Sequence, residues 1–206
     1  MYLLVATNSK RMTQRLSNIT YLGDKIDDFD LFENLPDYLK DFYSVTNGFV
    51  AFNGGLHIRG CVLSPKWHSL REYWIGDTNL KELFGSIERD DIPFAQDCFG
   101  DQYVIRDNRI WRLSAETDEI ENLEISFNDF LGAVETKPLE FLNIEKIEPN
   151  TLGPGQIFNV VPPFCVESSE YSFKPLQIEE QIRYLSDFSK QIKIIPDGRD
   201  IILKTK

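Results

Sequence analysis

The sequence predicts an α+β fold built on an antiparallel sheet. Two segments carry the pattern of a β-hairpin, and stretches with helical spacing of apolar residues lie between and after them. Regular alternation of strands and helices, which would indicate a parallel sheet, does not occur in the pattern. Of the 206 residues, 42% are hydrophobic and 13% are aromatic. This is enough for one packed domain, or for one domain plus an appendage, and it argues against global disorder.

The first well-marked helix is predicted to begin after Asn34, a favoured N-cap residue, with Pro36 in its first turn. The dipeptide Asn47-Gly48 supplies a C-terminal stop. Apolar residues recur between these signals at helical spacing: Leu35, Leu39, Phe42 and Val45. One face of this helix is therefore expected to lie in the core.

Two hairpins follow. Residues 49–52 and 56–59 flank Asn53-Gly54, the dipeptide that most readily forms a type I′ turn. Residues 102–106 and 109–113 flank Asp107-Asn108, and a two-residue loop there pairs Val104 with Trp111. Neither face of the second hairpin is purely polar. We therefore expect the sheet to be covered on one side and partly covered, or used for binding, on the other.

The remaining elements have weaker or shorter signals. A helical stretch over 69–84 is expected to break at Gly76, a short strand covers 92–95, and Ser126 with Asp129 resembles a capping box. Past Pro175 the chain contains its clearest helix, followed by an expected strand pair around Pro196. The apolar stripe of that helix comprises Ile178, Ile182, Leu185, Phe188 and Ile192.

The chain is acidic and its charge is uneven. It has 33 Asp and Glu against 22 Lys and Arg, a formal net charge of −11. This balance argues against a general binder of nucleic acids or anionic membranes, since such proteins need clustered basic residues, and it permits a basic protein partner. Residues 24–33 are strongly acidic, and residues 114–136 contain no Lys or Arg. Such a stretch can be a solvated face, or it can attract a basic partner.

Cysteine and histidine usage predicts a protein of a reducing compartment without a metal site or cofactor. Three widely spaced cysteines do not form a disulfide framework, and no CxxC is present. The two histidines, His57 and His68, are expected to be ordinary surface or boundary residues. The N-terminal apolar run is too short for a signal peptide, and no stretch reaches the length of a membrane span. A cytoplasmic location is expected.

Three phrases of the sequence resemble a known family. A helical segment at 35–43 leads to Asn47-Gly48, a strand follows at 55–60, and an apolar-Pro-apolar-Ala segment at 92–95 precedes Gly100-Asp101 and another strand. Their order and spacing resemble the SUKH superfamily, the Smi/Knr-type proteins, over about residues 31–142. The positions that carry this motif structurally are Asn47, Gly48, Pro93, Gly100 and Tyr103.

The resemblance implies a twisted antiparallel sheet with helices around it, and a binding module rather than an enzyme. Bacterial members commonly act as immunity proteins that neutralise polymorphic or contact-dependent toxins, which is the leading hypothesis here. Fungal members regulate cell-wall synthesis and signalling, which gives the alternative of a regulatory scaffold. Residues 1–148 would form the SUKH-like domain. Residues 149–206 would form a C-terminal helix-plus-hairpin extension packed on it.

The candidate partner-binding residues are mostly acidic. Asp97 and Asp101 flank a Gly-containing turn, and turn chemistry alone also explains these residue types. As a second alternative they could be the acid and base of an uncharacterised hydrolase, but no nucleophile motif accompanies them and no catalytic residue is assigned. Trp67 lies beside Pro65 in an expected loop, where an aromatic anchor would suit an interface. The candidates are Trp67, Asp97, Asp101, Glu116, Asp118, Glu119 and Glu121.

Overall fold

The computed structural model describes residues 16–144 and 152–195 of the chain. Its main feature is a sheet of seven strands, ordered β1 to β7 as in the sequence and antiparallel throughout. The strands are β1 (Tyr21–Leu22), β2 (Phe49–Ala51), β3 (Leu56–Ile58), β4 (Ile92–Asp97), β5 (Gln102–Arg106), β6 (Arg109–Ser114) and β7 (Glu119–Asn122).

A separate two-stranded hairpin and seven α-helices complete the described fold. The hairpin pairs β8 (Gln156–Val161) with β9 (Ser172–Gln177). The helices are α1 (Phe29–Glu33), α2 (Asp37–Val45), α3 (Leu70–Trp74), α4 (Leu80–Leu83), α5 (Phe127–Thr136), α6 (Pro138–Leu142) and α7 (Ile178–Ile192). The predicted α+β class and the C-terminal helix with a hairpin are confirmed. Over the ranges that the structure describes, no helix is both long and apolar enough to cross a membrane.

The predicted start of the first helix is wrong, because two helices lie where the pattern predicts one. Asn34 is not an N-cap: it ends α1, and its side-chain amide donates to the carbonyl oxygen of Asp30 at 2.8 Å. The next helix, α2, begins at Asp37 with Pro36 in the N-cap position. The apolar pattern indicates a single helix here because α1, with only five residues, is too short to show a helical period of its own. The strand pair expected around Pro196 falls largely outside the described residues.

The two hairpins differ in how well their turns were predicted. In the first, Ala51 pairs with Leu56, so four residues form the loop, and Phe52 and Asn53 both adopt positive φ angles. The prediction of a two-residue type I′ turn at Asn53-Gly54 is therefore wrong. In the second hairpin, Arg106 pairs with Arg109 and Val104 with Trp111, so the predicted two-residue loop is confirmed. Asp107 and Asn108, the two loop residues, both have positive φ angles.

Both faces of the sheet are covered. Tyr103 and Ile105 on β5 pack in a first core that also contains the buried residues of α2 and α5. Val104, the residue between them, packs in a second core with Ile182 and Leu185 of α7. Alternate residues of a strand point to opposite faces, so β5 contributes to both cores. The second face was expected to be only partly covered, and the C-terminal helix covers it together with residues of α3 and α4.

Candidate partner-binding site

The turn after β4 is built around the carboxylate of Asp97. Its Oδ1 accepts hydrogen bonds from the backbone N–H groups of Phe99, Gly100 and Asp101 at 2.9, 3.0 and 3.0 Å. Gly100 has a φ of +103°, and a Cβ there would lie 2.5 Å from Cδ1 of Leu185. The backbone conformation and this close approach of α7 together require glycine. Asp97 and Gly100 therefore act here as turn residues.

Asp97 is enclosed within the protein. Its side-chain Oδ2 is buried without a hydrogen-bond partner. Burial and the neighbouring carboxylate of Asp101 raise the pKa of Asp97 to about 8, while Arg112 and the N–H bonds act in the opposite direction. The side chain of Asp97 is thus enclosed by the turn and holds it through Oδ1.

Asp101 links the turn to β6. Its Oδ2 accepts from Nη2 and Nε of Arg112 at 2.7 and 3.2 Å, and its Oδ1 accepts from the backbone N–H of Ala115 at 3.0 Å. Both oxygens are thus occupied by groups of the same chain. A charge-assisted pair of this kind positions the two strands and leaves little free acceptor capacity for another molecule.

Glu116 connects the sheet to the C-terminal hairpin. Its two carboxylate oxygens accept from the backbone N–H groups of Phe164 and Cys165 at 3.0 and 2.9 Å. Burial raises the pKa of Glu116, and these N–H bonds oppose the shift. The residue was selected for its charge, and the structure places it as a bridge to the loop between β8 and β9.

The other three acidic candidates divide between the interior and the surface. Asp118 is buried and accepts from the backbone N–H groups of Gly85 and Ser86, and from Nζ of Lys193 at 2.5 Å. Glu119 and Glu121 are exposed on β7, which lies at one end of the strand order. Of the six acidic candidates, only Glu119 and Glu121 are exposed to solvent.

Trp67 is partly buried in an aromatic cluster. Its ring centroid lies 4.8 Å from that of Tyr21 and 5.3 Å from that of His57. A Cβ on Gly155 would lie 3.0 Å from the indole, so the C-terminal segment passes directly over it. Trp67 thus joins the N-terminal part of the sheet to the segment before β8.

Two structural motif positions hold the segment between α2 and β2. Asn47 donates from Nδ2 to the carbonyl oxygen of Asp24 and accepts at Oδ1 from the N–H of Cys61, both at 2.8 Å. Gly48 has a φ of +76°, and a Cβ there would lie 2.6 Å from the carbonyl oxygen of Ile58. Both residues therefore serve backbone geometry.

Besides Gly100 in the Asp97 turn, the remaining motif positions are Pro93 and Tyr103, and both lie in the interior. Pro93 is buried within β4, and its carbonyl oxygen accepts a hydrogen bond from a buried arginine described below. Tyr103 packs its ring 5.0 Å from that of Phe130. These positions support the sheet from within.

The expectation that the histidines are ordinary surface or boundary residues is wrong. His57 and His68 are both buried, and Nε2 of His57 lies 2.8 Å from Nδ1 of His68. Nε2 of His68 contacts the carbonyl oxygen of Asn47 at 3.1 Å, so it must carry a proton, and Nδ1 of His68 must accept from His57. Burial lowers the pKa of His68 to about 4 and that of His57 well below its usual 6.5. The pair is therefore neutral near pH 7.

A buried arginine, Arg59, was also missed. Its guanidinium donates to the carbonyl oxygen of Pro93 and to Oε1 of Gln96 and Gln102, each at 2.6 Å. The guanidinium carbon lies 4.0 Å from the ring centroid of Tyr73. Burial lowers the pKa of Arg59 to about 10. Because its neighbours come from β4, β5 and α3, no local sequence signal could have found this arrangement.

A group of aromatic side chains near the Asp97 turn was likewise missed. The ring centroid of Phe99 lies 5.1 Å from that of Phe164, which lies 5.3 Å from that of Tyr171 and 6.3 Å from that of Phe173. Phe164 and Phe173 remain 44% and 36% exposed. We call Phe99, Phe164, Tyr171 and Phe173 the aromatic patch. Only Phe99 belongs to a motif that the sequence singled out.

One family comparison identifies the core of this fold. The sequence matches the model of the SMI1 / KNR4 family (SUKH-1) over residues 30–133, just over half of the chain. The chain belongs to this family. The SUKH-1 match begins in α1 and ends in α5, so it contains β2 to β7 and the Asp97 turn but excludes β8, β9 and α7. The predicted membership is confirmed. SUKH-1 proteins are in general protein-binding and non-catalytic.

No curated protein matches the chain. Within residues 16–144 and 152–195, no group of three or more His, Cys, Asp or Glu side chains is arranged to hold a metal ion.

Proposed function

We propose that this SUKH-1 protein is a non-enzymatic immunity protein that binds and neutralises a bacterial toxin domain of the polymorphic or contact-dependent type. Membership of the SUKH-1 family is the observation that carries the proposal. Proteins of this family in general bind other proteins, and one fold can carry binding sites for different partners.

The charge of the chain supports a basic partner. The formal net charge is −11, and Glu119 and Glu121 extend from β7 into solvent. A negative surface accelerates association with a basic protein, and salt weakens the effect. Toxins that act on nucleic acids need a basic surface to bind their substrates, so such a toxin would be a suitable basic partner.

The geometry of the paired carboxylates supports binding over hydrolysis. A hydrolytic acid and base must both reach the substrate. Asp97 is buried with three N–H bonds on Oδ1, and Asp101 is held by Arg112 and Ala115. Both side chains are explained by the architecture of the turn.

Co-expression tests the proposal. We expect the chain to restore growth of cells that express a candidate toxin encoded immediately upstream of it, and to form a complex that elutes as one species. The matched control is co-expression with a toxin of the same chemistry from an unrelated locus, which the chain should not neutralise. Lack of protection together with no complex at micromolar concentrations would contradict the proposal.

A further inference from the structure

The aromatic patch lies where the C-terminal hairpin meets the sheet. Phe99 comes from the Asp97 turn, whereas Phe164, Tyr171 and Phe173 come from β9 and the loop before it. Phe158 of β8 is buried beneath, with its ring centroid 5.8 Å from that of Phe173. The patch thus has a buried base and two rings that are more than one-third exposed. Aromatic side chains in such a setting are typical anchors of protein interfaces.

The surroundings of the patch are negatively charged. The loop between β8 and β9 contains Glu167 and Glu170, both exposed, and residues 162–173 include no Lys or Arg. Lys174 follows Phe173 on β9, so its side chain points to the opposite face of the hairpin. Arg112, the basic residue at the nearby turn, is already paired with Asp101. A partner would therefore meet exposed rings among free carboxylates.

Hydrogen bonds hold the loop against the sheet and within itself. Glu116 accepts from the N–H groups of Phe164 and Cys165, and the N–H of Phe158 donates to the carbonyl oxygen of Cys98 at 2.8 Å. Within the loop, the hydroxyl of Ser168 donates to the carbonyl oxygen of Glu170 at 2.7 Å. A fixed surface loses less conformational entropy on binding, so its contacts contribute more to affinity.

We propose that the aromatic patch with Glu167 and Glu170 is the docking surface for an arginine-rich segment of a basic protein partner. A guanidinium group can stack on an exposed ring and at the same time donate two hydrogen bonds to a carboxylate. An ammonium group matches this combination less well, because it is a compact and strongly hydrated charge. The inference rests on the proposed function in one respect: the toxin domain would supply the arginine-rich segment.

The position of the patch gives it a role in partner choice. Phe164, Glu167, Glu170 and Phe173 lie outside the SUKH-1 match, which ends at residue 133. The family core supplies Phe99 and the supporting Glu116. The exposed contacts are thus contributed by a hairpin that this chain adds to the shared scaffold.

A peptide titration tests the surface without the toxin. The probes are fluorescein-labelled peptides of alternating Arg and Gly, Lys and Gly, or Glu and Gly, measured by anisotropy at low and high salt. We expect the arginine peptide to bind most tightly, and Phe164→Ala with Phe173→Ala, or Glu167→Lys with Glu170→Lys, to weaken it about tenfold or more. The matched control, Phe29→Ala with Asp37→Lys, changes an aromatic ring and a carboxylate that are 63% and 89% exposed elsewhere. It should leave the affinity within about twofold.

The outcomes separate this inference from the proposed function. Absence of arginine-peptide binding, equal loss in the patch and control variants, or an arginine peptide no tighter than the lysine peptide would overturn the docking surface. Far-ultraviolet circular dichroism and thermal unfolding of every variant establish that the fold is intact. If the wild-type chain and the patch variants protect cells from the toxin equally, the docking surface is wrong and the proposed function stands. If no toxin is neutralised but the arginine peptide binds at the patch, the proposed function is wrong and the docking surface stands.

Discussion

Glu116 accepts a hydrogen bond from the backbone N–H of Phe164 at 3.0 Å, although 48 residues of chain separate them. The bond joins the turn between β6 and β7, inside the SUKH-1 core, to the added hairpin that carries the exposed rings. An acidic residue selected for partner contact thus has an internal role that shapes the neighbouring surface.

Replacing Glu116 should release this loop while leaving the sheet folded. In Glu116→Ala, the N–H groups of Phe164 and Cys165 lose their acceptors, at a cost of roughly 1–3 kcal/mol for each bond to a charged group. Hydrogen exchange monitored by NMR should show faster exchange of these two amides and unchanged exchange in β5. Glu119→Ala, which removes an exposed carboxylate three residues away, is the control. Unaltered exchange in Glu116→Ala would show that the loop is held by other contacts.

Asp97 should tolerate an amide but not a methyl group. Asp97→Asn keeps an Oδ1 that can accept the three N–H bonds of the turn, and it removes a buried ionisable group. At about pH 4, where the carboxyl of Asp97 is protonated in the folded protein, we expect the free energy of unfolding of Asp97→Asn to stay within about 1 kcal/mol of wild type, whereas Asp97→Ala should lose about 2–4 kcal/mol. Urea unfolding measures both values. Similar stabilities for the two variants would contradict the role assigned to Oδ1.

The raised pKa of Asp97 also predicts a pH dependence. In the folded protein this carboxyl holds its proton up to about pH 8, whereas in the unfolded chain it releases the proton near its ordinary value of 3.8. The folded state binds more protons between these values, so the contribution of Asp97 to stability decreases as the pH rises through them. Asp97→Asn should therefore gain stability relative to wild type as the pH rises from about 4 to about 8. A constant difference between the two proteins would contradict the raised pKa.

The histidine pair predicts the opposite dependence in a lower range. The pKa of His68 is about 4 in the folded protein and 6.5 is its ordinary value, so the unfolded chain binds the proton first as the pH falls. The stability contributed by neutral His68 should be lost between about pH 6.5 and pH 4, by up to ~3 kcal/mol. The test is urea unfolding of wild type and His68→Gln across this range. The difference between their free energies of unfolding should shrink or reverse as the pH falls. If the two free energies changed with pH in parallel, the lowered pKa of His68 would be contradicted.

Arg59 should not be replaceable by lysine. An ammonium group cannot reach the acceptors of Pro93, Gln96 and Gln102 in the planar arrangement of the guanidinium, and it loses the contact with the ring of Tyr73. We expect Arg59→Lys to lower the free energy of unfolding by about 2–4 kcal/mol, because buried acceptors are left unpaired.

The control for Arg59 is another arginine of the same sheet. Arg109 is exposed in β6, and Arg109→Lys should change stability by no more than ~0.5 kcal/mol. Chemical denaturation of both variants gives the comparison. Equal effects at the two positions would show that the buried hydrogen bonds of Arg59 contribute nothing specific.

Features with local causes could be predicted from the sequence. The Asp107-Asn108 turn has both residues in the left-handed region, and Ser126 and Asp129 form the reciprocal bonds of a capping box. In each case the residues that determine the structure are within four positions of one another. The family phrases succeed for a related reason, since glycines such as Gly48 are required by backbone geometry.

Features that depend on distant packing could not be predicted. The alternation that continues from β3 into Arg59 places His57 and Arg59 on one face, but it does not show that the aromatic cluster and α3 cover that face. The charge of Glu116 suggested an exposed residue because its partners lie in a loop almost fifty residues away. The same cause hides the aromatic patch, whose rings come from two separate parts of the chain.

We propose that the chain neutralises a toxin domain and recognises it through the aromatic patch. Isothermal titration calorimetry of the purified chain with the toxin domain encoded beside it tests the claim most directly. We predict a nanomolar dissociation constant for wild type, weakened about a hundredfold or more by Phe164→Ala combined with Glu167→Lys, and little change for Phe29→Ala. Absence of heat at micromolar concentrations, or equal affinities for the wild type and the patch variant, would contradict the account.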